Sequence, residues 1–235
     1  MESIDIGGKQ FQIHQIYSKN KNANARLKEN VIVISIPSRW SQKDKDRVTE
    51  DLRKRAIKAI EKGTWNPESN RKLNFDHGQR ITALGEEFQI ALTPALVFRA
   101  QTIDNQIEVR YKDFDPEKEN KIRKYVIREI LKKTENKVVE RIEHLNNQHF
   151  SAELKHIRIK DTKSIWGSMS PKGAICLNFR LLLMPTEILD YVIVHELAHT
   201  KYKSHGKRFW DLVARVMPEH KIRRRWLKKH GWTIK

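Results

Sequence analysis

The chain has 235 residues, of which 38% are hydrophobic and 32% charged, so it can bury a core and lacks the composition of a disordered protein. Its single cysteine, Cys176, excludes an internal disulfide and is typical of a reducing compartment. Met1 is followed by polar residues, and the apolar run at residues 188–194 is too short to span a bilayer. We therefore expect a cytoplasmic protein with no secretory signal and no membrane contact.

The net charge of +18 is unevenly distributed along the chain. Residues 201–235 contain twelve Lys or Arg and only two acidic residues, so over half of the excess charge lies in this last part. A basic field of this kind attracts anionic partners such as nucleic acid, acidic protein or ribosomes. Solvated helix faces in an organism with basic proteins would have the same composition, and both interpretations stay open.

The N-terminal half is predicted to be rich in β-structure. Residues 11–17 and 31–36 alternate apolar and polar side chains, which indicates two or three antiparallel strands that end at Pro37. An Asn- and Lys-rich turn region lies between them. Further strands are expected at residues 88–92, 96–100 and 107–111, with a turn at Asp104 and Asn105.

Two helices are predicted beside these strands. Ser41 and Asp44 resemble a capping signal for a helix that reaches about residue 62, where Gly63 fits the C-terminus. Asp115 followed by Pro116 starts a long helix, because Asp caps free N–H groups and Pro fits the first turn. Apolar residues then recur with helical spacing out to about residue 147: Ile122, Val126, Ile130, Val138, Ile142 and Leu145.

The last third of the chain combines short strands with helices. Strands are expected at residues 155–160 and 174–178, joined by a Ser-, Gly- and Pro-rich connection at residues 164–173. Helices are expected from Pro185 or Thr186 through residue 199, from about 207 to 216, and from about 219 to 229. The long helix is expected to pack on the first of these. No internal repeat is evident in the sequence.

The helix predicted before residue 200 carries the sequence His195-Glu196-Leu197-Ala198-His199. Positions i and i+4 share one face of a helix, so His195 and His199 can direct two imidazole nitrogens at one ion. Glu196 projects beside this ion rather than onto it, which is where a general base must lie to take a proton from metal-bound water. The pattern therefore predicts a zinc-dependent hydrolase.

A third nitrogen ligand is offered by His205, six residues beyond His199. Zinc suits imidazole ligands, and three protein ligands leave a fourth position open for water. Two alternatives remain: histidines that bind no metal, and a structural zinc, which would need a fourth protein ligand and would leave Glu196 without a role. Phe209 and Trp210 are interpreted as packing residues that hold His205 in place.

Several short motifs lie around these ligands: a Trp-Gly-Ser segment, a Leu-Asn pair, a proline, the segment YVIVHELAH, and a later histidine close to Phe-Trp. They are Trp166, Gly167, Ser168, Leu177, Asn178, Pro185, residues 191–199, His205, Phe209 and Trp210. This set resembles the YgjP-like family of metal-dependent hydrolases, which is similar to the SprT and WLM zinc metallopeptidases. The resemblance extends over the whole chain, but its specific motifs begin at residue 166.

The resemblance implies an α+β protein with a β-rich N-terminal half and a compact gluzincin-like zincin catalytic domain, which contains a long backing helix and an active-site helix. A compositional break near Asp113 would divide the chain into a β-rich region with one helix, residues 1–112, and a catalytic domain, residues 113–235. The resemblance further implies Zn²⁺ held by His195, His199 and His205, with Glu196 as base and acid in peptide cleavage.

The chain departs from the family at two positions. Ile165 stands where the family has arginine before the tryptophan, and Met169 stands where it has cysteine after Trp-Gly-Ser. These changes remove a cation and a thiol near the expected cleft and leave the metal ligands intact. They bear on substrate preference rather than on metal binding.

Zinc peptidases commonly hold an extended substrate as an added strand beside the cleft. By this analogy the expected substrate-binding residues are Ala174, Ile175, Cys176, Leu177 and Asn178. A plain core strand is the alternative. A donor to the oxyanion is expected as well, with Tyr191, Tyr202 and His220 as candidates. Asp190 is interpreted either as a partner of an imidazole or as a solvent-facing residue.

The C-terminal segment is basic and contains two tryptophans: its residues are Lys221, Arg223, Arg224, Arg225, Trp226, Lys228, Lys229 and Trp232. Cations can hold phosphates while an aromatic ring stacks on a base, but the tryptophans are better explained as packing residues. Two hypotheses result. One is a zinc metallopeptidase that cleaves protein or peptide; the other is a basic nucleic-acid- or ribosome-associated binding protein with a structural or vestigial zinc site.

Overall fold

The computed structural model describes residues 2–28, 30–62, 73–162 and 164–233, and the chain divides into two compact units, Met1–Arg71 and Lys72–Lys235. Among the described helices, none is both long and apolar enough to cross a membrane. Asp113, where the sequence suggests a break, lies inside the second unit, and the division into residues 1–112 and 113–235 stays a prediction. Gly63 lies outside the described residues.

The first unit is a four-stranded sheet followed by a helix. Its elements are β1 (Glu2–Ile6), β2 (Lys9–Ser18), β3 (Asn24–Lys28), β4 (Val31–Pro37) and α1 (Gln42–Glu61). The strand order is β1-β2-β4-β3, with β2 parallel to β4 and the other pairs antiparallel. The prediction of antiparallel strands is wrong for the central pair, because part of the expected turn region forms β3 and pairs with the far edge of β4.

Helix α1 begins where its capping signal predicts. The Ser41 hydroxyl accepts a hydrogen bond from the backbone N–H of Asp44 at 3.2 Å, which satisfies one of the free donors at the helix start. Ala56 is the fully buried contribution of α1 to the core of this unit. The sheet contributes Ile6, Phe11, Leu27, Ile32, Ile34 and Ile36.

The second unit opens with a sheet of the same topology as the first. Its strands are β5 (Arg80–Ala83), β6 (Glu86–Pro94), β7 (Arg99–Ile103) and β8 (Gln106–Tyr111). They are ordered β5-β6-β8-β7, again with a parallel central pair between two antiparallel pairs, and a helix, α2 (Lys118–His149), follows. The chain therefore contains a repeated ββββα segment, and the expectation of no internal repeat is wrong.

The repeat has left a trace in the sequence at the first hairpin of each sheet. Gly8 and Gly85 occupy equivalent turn positions with φ values of +79° and +80°, which favour glycine. Each is followed three residues later by Phe-Gln-Ile, whose phenylalanines, Phe11 and Phe88, are both buried. The shared turn fixes the register of both hairpins in the same way.

The other β predictions for this sheet hold in part. Asp104 and Asn105 form the turn between β7 and β8 with φ values of +46° and +64°, as predicted. Leu96 and Val97, which the sequence assigns to a strand, lie instead in the exposed connection before β7. These two apolar side chains are therefore exposed at the surface, although their composition favours a strand.

Helix α2 runs for 32 residues behind the site described below. It begins at Lys118, slightly later than predicted, because the Asp115 carboxylate accepts the N–H of Glu117 at 2.8 Å in a turn that precedes the helix. Its buried apolar face includes the predicted residues Ile122, Val126, Ile130, Val138 and Ile142. Early turns of α2 pack on the β5–β8 sheet, and the helix also packs on the next long helix of the chain.

The remaining elements form a small sheet and three helices. They are β9 (His156–Lys160), β10 (Gly167–Met169), β11 (Ala174–Asn178), α3 (Thr186–Ala198), α4 (Lys207–Val216) and α5 (His220–His230). The sheet order is β10-β11-β9, with β10 antiparallel and β9 parallel to β11. The three helices confirm the prediction, and α2 packs on α3 as expected. The fold is α+β with a β-rich first half, as predicted.

Candidate active site

Helix α3 is apolar on nearly all sides, which explains why it lies in the core. Nine of its residues are buried, including Tyr191, Val194 and Leu197. The helix ends at Ala198, and His199 caps it with its backbone N–H bonded to the carbonyl of Glu196. The polar residues at its C-terminal end therefore face one side of an otherwise apolar helix, which fixes their direction.

Three imidazoles converge at the C-terminal end of α3. His195 and His199 come from the helix, and His205 comes from the connection to α4. One ligand nitrogen of each lies within 4.8 Å of those of the other two, and the Nε2 atoms of His195 and His205 are 3.0 Å apart. The rings pack around Phe209, which is fully buried with its centroid 4.7–5.0 Å from all three. Phe209 thus packs as the sequence suggests.

Hydrogen bonding fixes which nitrogen of His199 is free. Its Nδ1 lies 3.1 Å from the backbone carbonyl of Tyr202, and a carbonyl can only accept, so Nδ1 carries the proton. The Nε2 lone pair of His199 is therefore available to a metal. The same contact holds the backbone of the connection that delivers His205.

Burial favours the neutral form of two of the imidazoles, those of His195 and His205. Burial lowers the pKa of His195 to about 3, and the neighbouring His199 and His205 contribute to the same shift. Burial also lowers the pKa of His205, again with a contribution from His199. Neutral imidazole is the form that binds metals, so these two shifts favour the binding of a cation.

Glu196 lies beside this cluster and is almost wholly buried. Burial raises the pKa of its carboxyl to about 7, against an opposing hydrogen bond from the backbone N–H of Met169. Gly167 lies against the same side chain, and a Cβ added there would be 2.6 Å from Oε1 and 2.7 Å from Cγ of Glu196. The carboxylate is thus held between α3 and β10.

Among the described strands, β10 lies at the edge of its sheet and pairs with no strand on the side away from β11. The carbonyl of Trp166 and the N–H of Ser170 bond to β11, and Ser168 is paired with Cys176 in the same ladder. Backbone groups alternate in direction along an antiparallel strand, so those of Gly167 and Met169 point away from β11. The hydrogen bond from Met169 to Glu196 agrees with that direction.

Strand β11 cannot hold a substrate by backbone pairing, and the assignment of that role to its residues is wrong. It is the central strand, paired with β9 along its whole length and with β10 on its other edge. None of Ala174, Ile175, Cys176, Leu177 and Asn178 lines the cleft at the imidazole cluster. The Asn178 amide instead donates to Thr162 and to the carbonyl of Ile165, which fixes the approach to β10.

A cleft of about 1040 Å³ opens at the imidazole cluster. Its walls are the segment before β9, the β10–β11 hairpin, the end of α3 and the connection to α4. The lining includes His195, Glu196, His199 and His205, so all four predicted functional side chains meet at one surface. Met169, one of the two departures from the family, also lines it, whereas Ile165 does not.

The proposed oxyanion donors lie outside this lining. Tyr191 is buried with its ring 6.0 Å from that of His195, and the carbonyl of Tyr202 is the acceptor for His199. His220 is buried and its Nδ1 lies 3.1 Å from the carbonyl of Met217. None of the three lines the cleft.

Asp190 does not contact an imidazole and does not face solvent freely. Its carboxylate accepts two hydrogen bonds from the guanidinium of Arg141, which joins α3 to the backing helix α2. The sequence could not reveal this pair, because the two residues are 49 positions apart.

Arg224 is a residue near the site that the sequence assigned only to the basic tail. Its guanidinium carbon lies 4.7 Å from the centre of the Trp210 ring, which in turn lies 5.8 Å from both His195 and His205. Trp226 and Trp232 pack inward, the latter 3.9 Å from the ring of Trp166. The tryptophans of the tail are therefore packing residues.

Comparison with known proteins gives one extensive match. A family model described as "YgjP-like, metallopeptidase domain" matches residues 21–230. A search of curated proteins finds no match. Among solved structures, similar chains include the metallopeptidase zymogen of Pyrococcus abyssi abylysin, 30% identical over 39% of this chain and 93% of its own, with a TM-score of 0.35. The zymogen of Methanocaldococcus jannaschii jannalysin is 26% identical over 41% and 97%, with a TM-score of 0.36.

Proposed function

The chain belongs to the YgjP-like family of metallopeptidase domains, and on that premise we propose that it is a zinc-dependent peptidase. One observation carries the proposal. Three imidazoles and the Glu196 carboxylate meet at the wall of a single cleft, beside the edge strand β10. That combination supplies a metal-binding group, a proton acceptor and a surface for an extended peptide in one place.

The donor set fits zinc. His195, His199 and His205 would hold the ion, since three imidazole nitrogens suit a borderline-soft cation. Among the described residues, no fourth His, Cys, Asp or Glu joins the group, so a coordination position would stay open toward the cleft. Zinc bound there would supply a Lewis acid that polarises a peptide carbonyl and lowers the pKa of water toward neutrality.

Glu196 is the proposed proton carrier. Its carboxylate would take the proton of the attacking water and deliver it to the nitrogen of the departing amine. The N–H of Met169 and the close approach of Gly167 hold the carboxylate beside the imidazoles rather than among them. A position next to the metal ligands but outside the metal-binding group is what this role requires.

The substrate would pair with β10 in place of the strand expected from the sequence. The carbonyls of Gly167 and Met169 and the N–H of Gly167 point outward and can pair with an extended chain, whereas the N–H of Met169 is bonded to Glu196. The proposed partner is therefore protein or peptide in extended form.

Replacing Glu196 with Gln tests the proposal. The variant keeps the shape of the side chain and all three imidazoles but cannot accept the proton, so zinc content should persist while hydrolysis of a mixed peptide library falls by about 10²–10⁴-fold. Glu187→Gln, at an exposed position on the same helix, is the matched control and should retain activity. Undiminished hydrolysis by the Glu196→Gln protein would refute the assignment, as would a zinc-loaded wild type that cleaves no peptide.

The alternative of a binding protein with a structural zinc site has less support. A structural zinc is normally closed by four protein ligands, and the described residues offer three. Binding of nucleic acid by the basic C-terminal region stays a prediction, with the exposed cations of α5 as its candidate residues.

A further inference from the structure

The cleft beside the imidazoles is lined by an excess of positive charge. Four lysines lie along it, whereas its acidic residues are Glu153 and the proposed base Glu196. Lys155 pairs with Glu153 at 3.6 Å. The other three lysines have no acidic side chain within 4.0 Å in the described parts of the chain: Lys172, Lys201 and Lys203.

Backbone hydrogen bonds fix the position of the segments that carry these lysines. Lys172 lies in the turn between β10 and β11, which is closed by the N–H of Gly173 on the carbonyl of Ser170 at 3.1 Å. The N–H of Lys155 bonds to the carbonyl of Gly173 at 2.8 Å and ties this turn to the segment before β9, which also lines the cleft. Although the lysine side chains are exposed, their backbone positions therefore stay at the cleft.

The other two of these three lysines, Lys201 and Lys203, lie in the connection between α3 and α4, which also carries His205. Lys201 and Lys203 flank Tyr202, whose carbonyl is bonded to His199. Their Cα positions are thus fixed relative to the proposed metal site. A concave surface lined by one sign of charge concentrates the electrostatic field and raises the local concentration of oppositely charged ligands.

We infer that the cleft selects peptides with acidic side chains next to the scissile bond. The inference rests on the proposed function and names its substrate class. Lys172, Lys201 and Lys203 would meet the carboxylates of Asp or Glu side chains in a bound peptide. An extended peptide has a backbone that fits the free edge of β10, which is why these lysines are assigned to an acidic peptide rather than to nucleic acid.

The preference should apply to one side of the scissile bond. The cleft runs from Gly167 past Met169 to the lysine-bearing turn, whereas no residue of α5, at the Trp166 end of the strand, lines it. A peptide along β10 therefore passes Lys172 in one direction only. Acidic residues on the other side of the bond would gain nothing from Lys172.

Two measurements on the full-length zinc-loaded protein test this inference. The first is kcat/KM for paired peptides that carry Glu or Gln on the N-terminal or the C-terminal side of the scissile bond. The second is the affinity of the same peptides for the Glu196→Gln protein by fluorescence anisotropy, which reports binding without catalysis. In one of the two peptide series, kcat/KM and affinity should be higher for the Glu peptide than for the Gln peptide by on the order of tenfold at moderate salt.

Two charge-matched variants separate the cleft from the overall basic character of the protein. Lys172→Glu/Lys201→Glu/Lys203→Glu should reduce the Glu-to-Gln ratio to one or below. The control Lys221→Glu/Lys228→Glu/Lys229→Glu changes the net charge equally at exposed positions of α5 and should keep the ratio. Zinc content and thermal unfolding are measured for both, since Lys203 is close in sequence to His205.

The possible results are distinct. Equal ratios in both variants, or no preference for Glu in either series, overturn the inference while leaving peptide hydrolysis intact. Absence of hydrolysis in every peptide overturns the proposed function, and the anisotropy data then decide whether the cleft still binds acidic peptides. A single-stranded oligonucleotide that binds the cleft in place of acidic peptides, and is lost in the cleft variant, would replace the inferred substrate class.

Discussion

Gly167 and Glu196 are in direct contact: the space where a Cβ of residue 167 would lie is only 2.6 Å from the Glu196 carboxylate. The side chain cannot yield toward the protein interior, because it is buried between α3 and β10. The φ of Gly167 is not positive, so the backbone conformation of the strand does not require glycine here. Glycine is required because a side chain would collide with Glu196.

Gly167→Ala should consequently displace the carboxylate of Glu196. We expect a loss of activity of about 10²-fold, with zinc bound as in the wild type, because a small misplacement of a reacting group has that effect. Peptide hydrolysis and zinc content measure the two properties. Gly206→Ala, whose added Cβ meets nothing within 4 Å, is the control. A fully active Gly167→Ala protein would show that Glu196 does not need its present position.

The ion pair between Arg141 and Asp190 should stabilise the junction of α2 and α3. Asp190→Asn keeps the shape of the side chain and should lower the free energy of unfolding by about 1–2 kcal/mol, since Asp190 is largely buried and Arg141 is partly exposed. A double-mutant cycle with Arg141→Gln, followed by urea unfolding, measures the coupling. A double-mutant cycle on the exposed pair Lys207–Asp211 should give a smaller coupling energy. Strictly additive effects at Arg141 and Asp190 would contradict the prediction.

Zinc should stabilise the folded protein, because the three imidazoles are brought together only on folding. At a free zinc concentration a hundredfold above Kd, the stabilisation is about 2.7 kcal/mol, or roughly 5–10 °C in Tm for a chain of this size. Differential scanning calorimetry with zinc or a chelator measures it. His205→Ala should abolish most of the shift, and His144→Ala, at an exposed position of α2, should not. A Tm that is indifferent to zinc would exclude the metal site.

The metal-free protein should lose stability as the pH rises through the range in which Glu196 ionises. Its pKa is raised from 4.5 to about 7 by burial, so the folded chain keeps a proton that the unfolded chain releases between these values. Stability therefore falls between pH 4.5 and 7, by a few kcal/mol from this group, and levels off above. Urea unfolding of the chelator-treated wild type and of the Glu196→Gln variant at several pH values measures how much of the pH dependence of the free energy of unfolding comes from Glu196. Parallel pH profiles of the two proteins would be the opposite outcome.

Local patterns predicted much of the site from the sequence. The spacing of His195 and His199 and the periodicity of α2 depend on residues close together in the chain, and these features agree with the structure. The position of His205 is predictable from its distance along the chain, because the connection from α3 to α4 is short. The capping pair at Ser41 also depends on adjacent residues alone.

Local sequence patterns do not predict which distant segments pair as strands. Strand β10 has only three residues in a Ser-, Gly- and Pro-rich stretch, so its composition indicates a loop, and its role as the free edge depends on β11 lying between it and β9. The repeat leaves little signal in the sequence because few residues are identical in its two copies. The parallel pairing of β2 with β4 is likewise a property of the sheet and leaves no local pattern.

The hydrogen bond from Met169 to Glu196 has a consequence for any peptide that enters the cleft. An N–H group has one proton to donate, and in the free protein the carboxylate accepts it. A peptide carbonyl that pairs with β10 at Met169 must compete with the protein's own carboxylate for that donor. When the peptide carbonyl accepts the N–H of Met169, the Glu196 carboxylate loses that hydrogen bond. Binding of the peptide at the strand edge therefore also frees the proposed base to move.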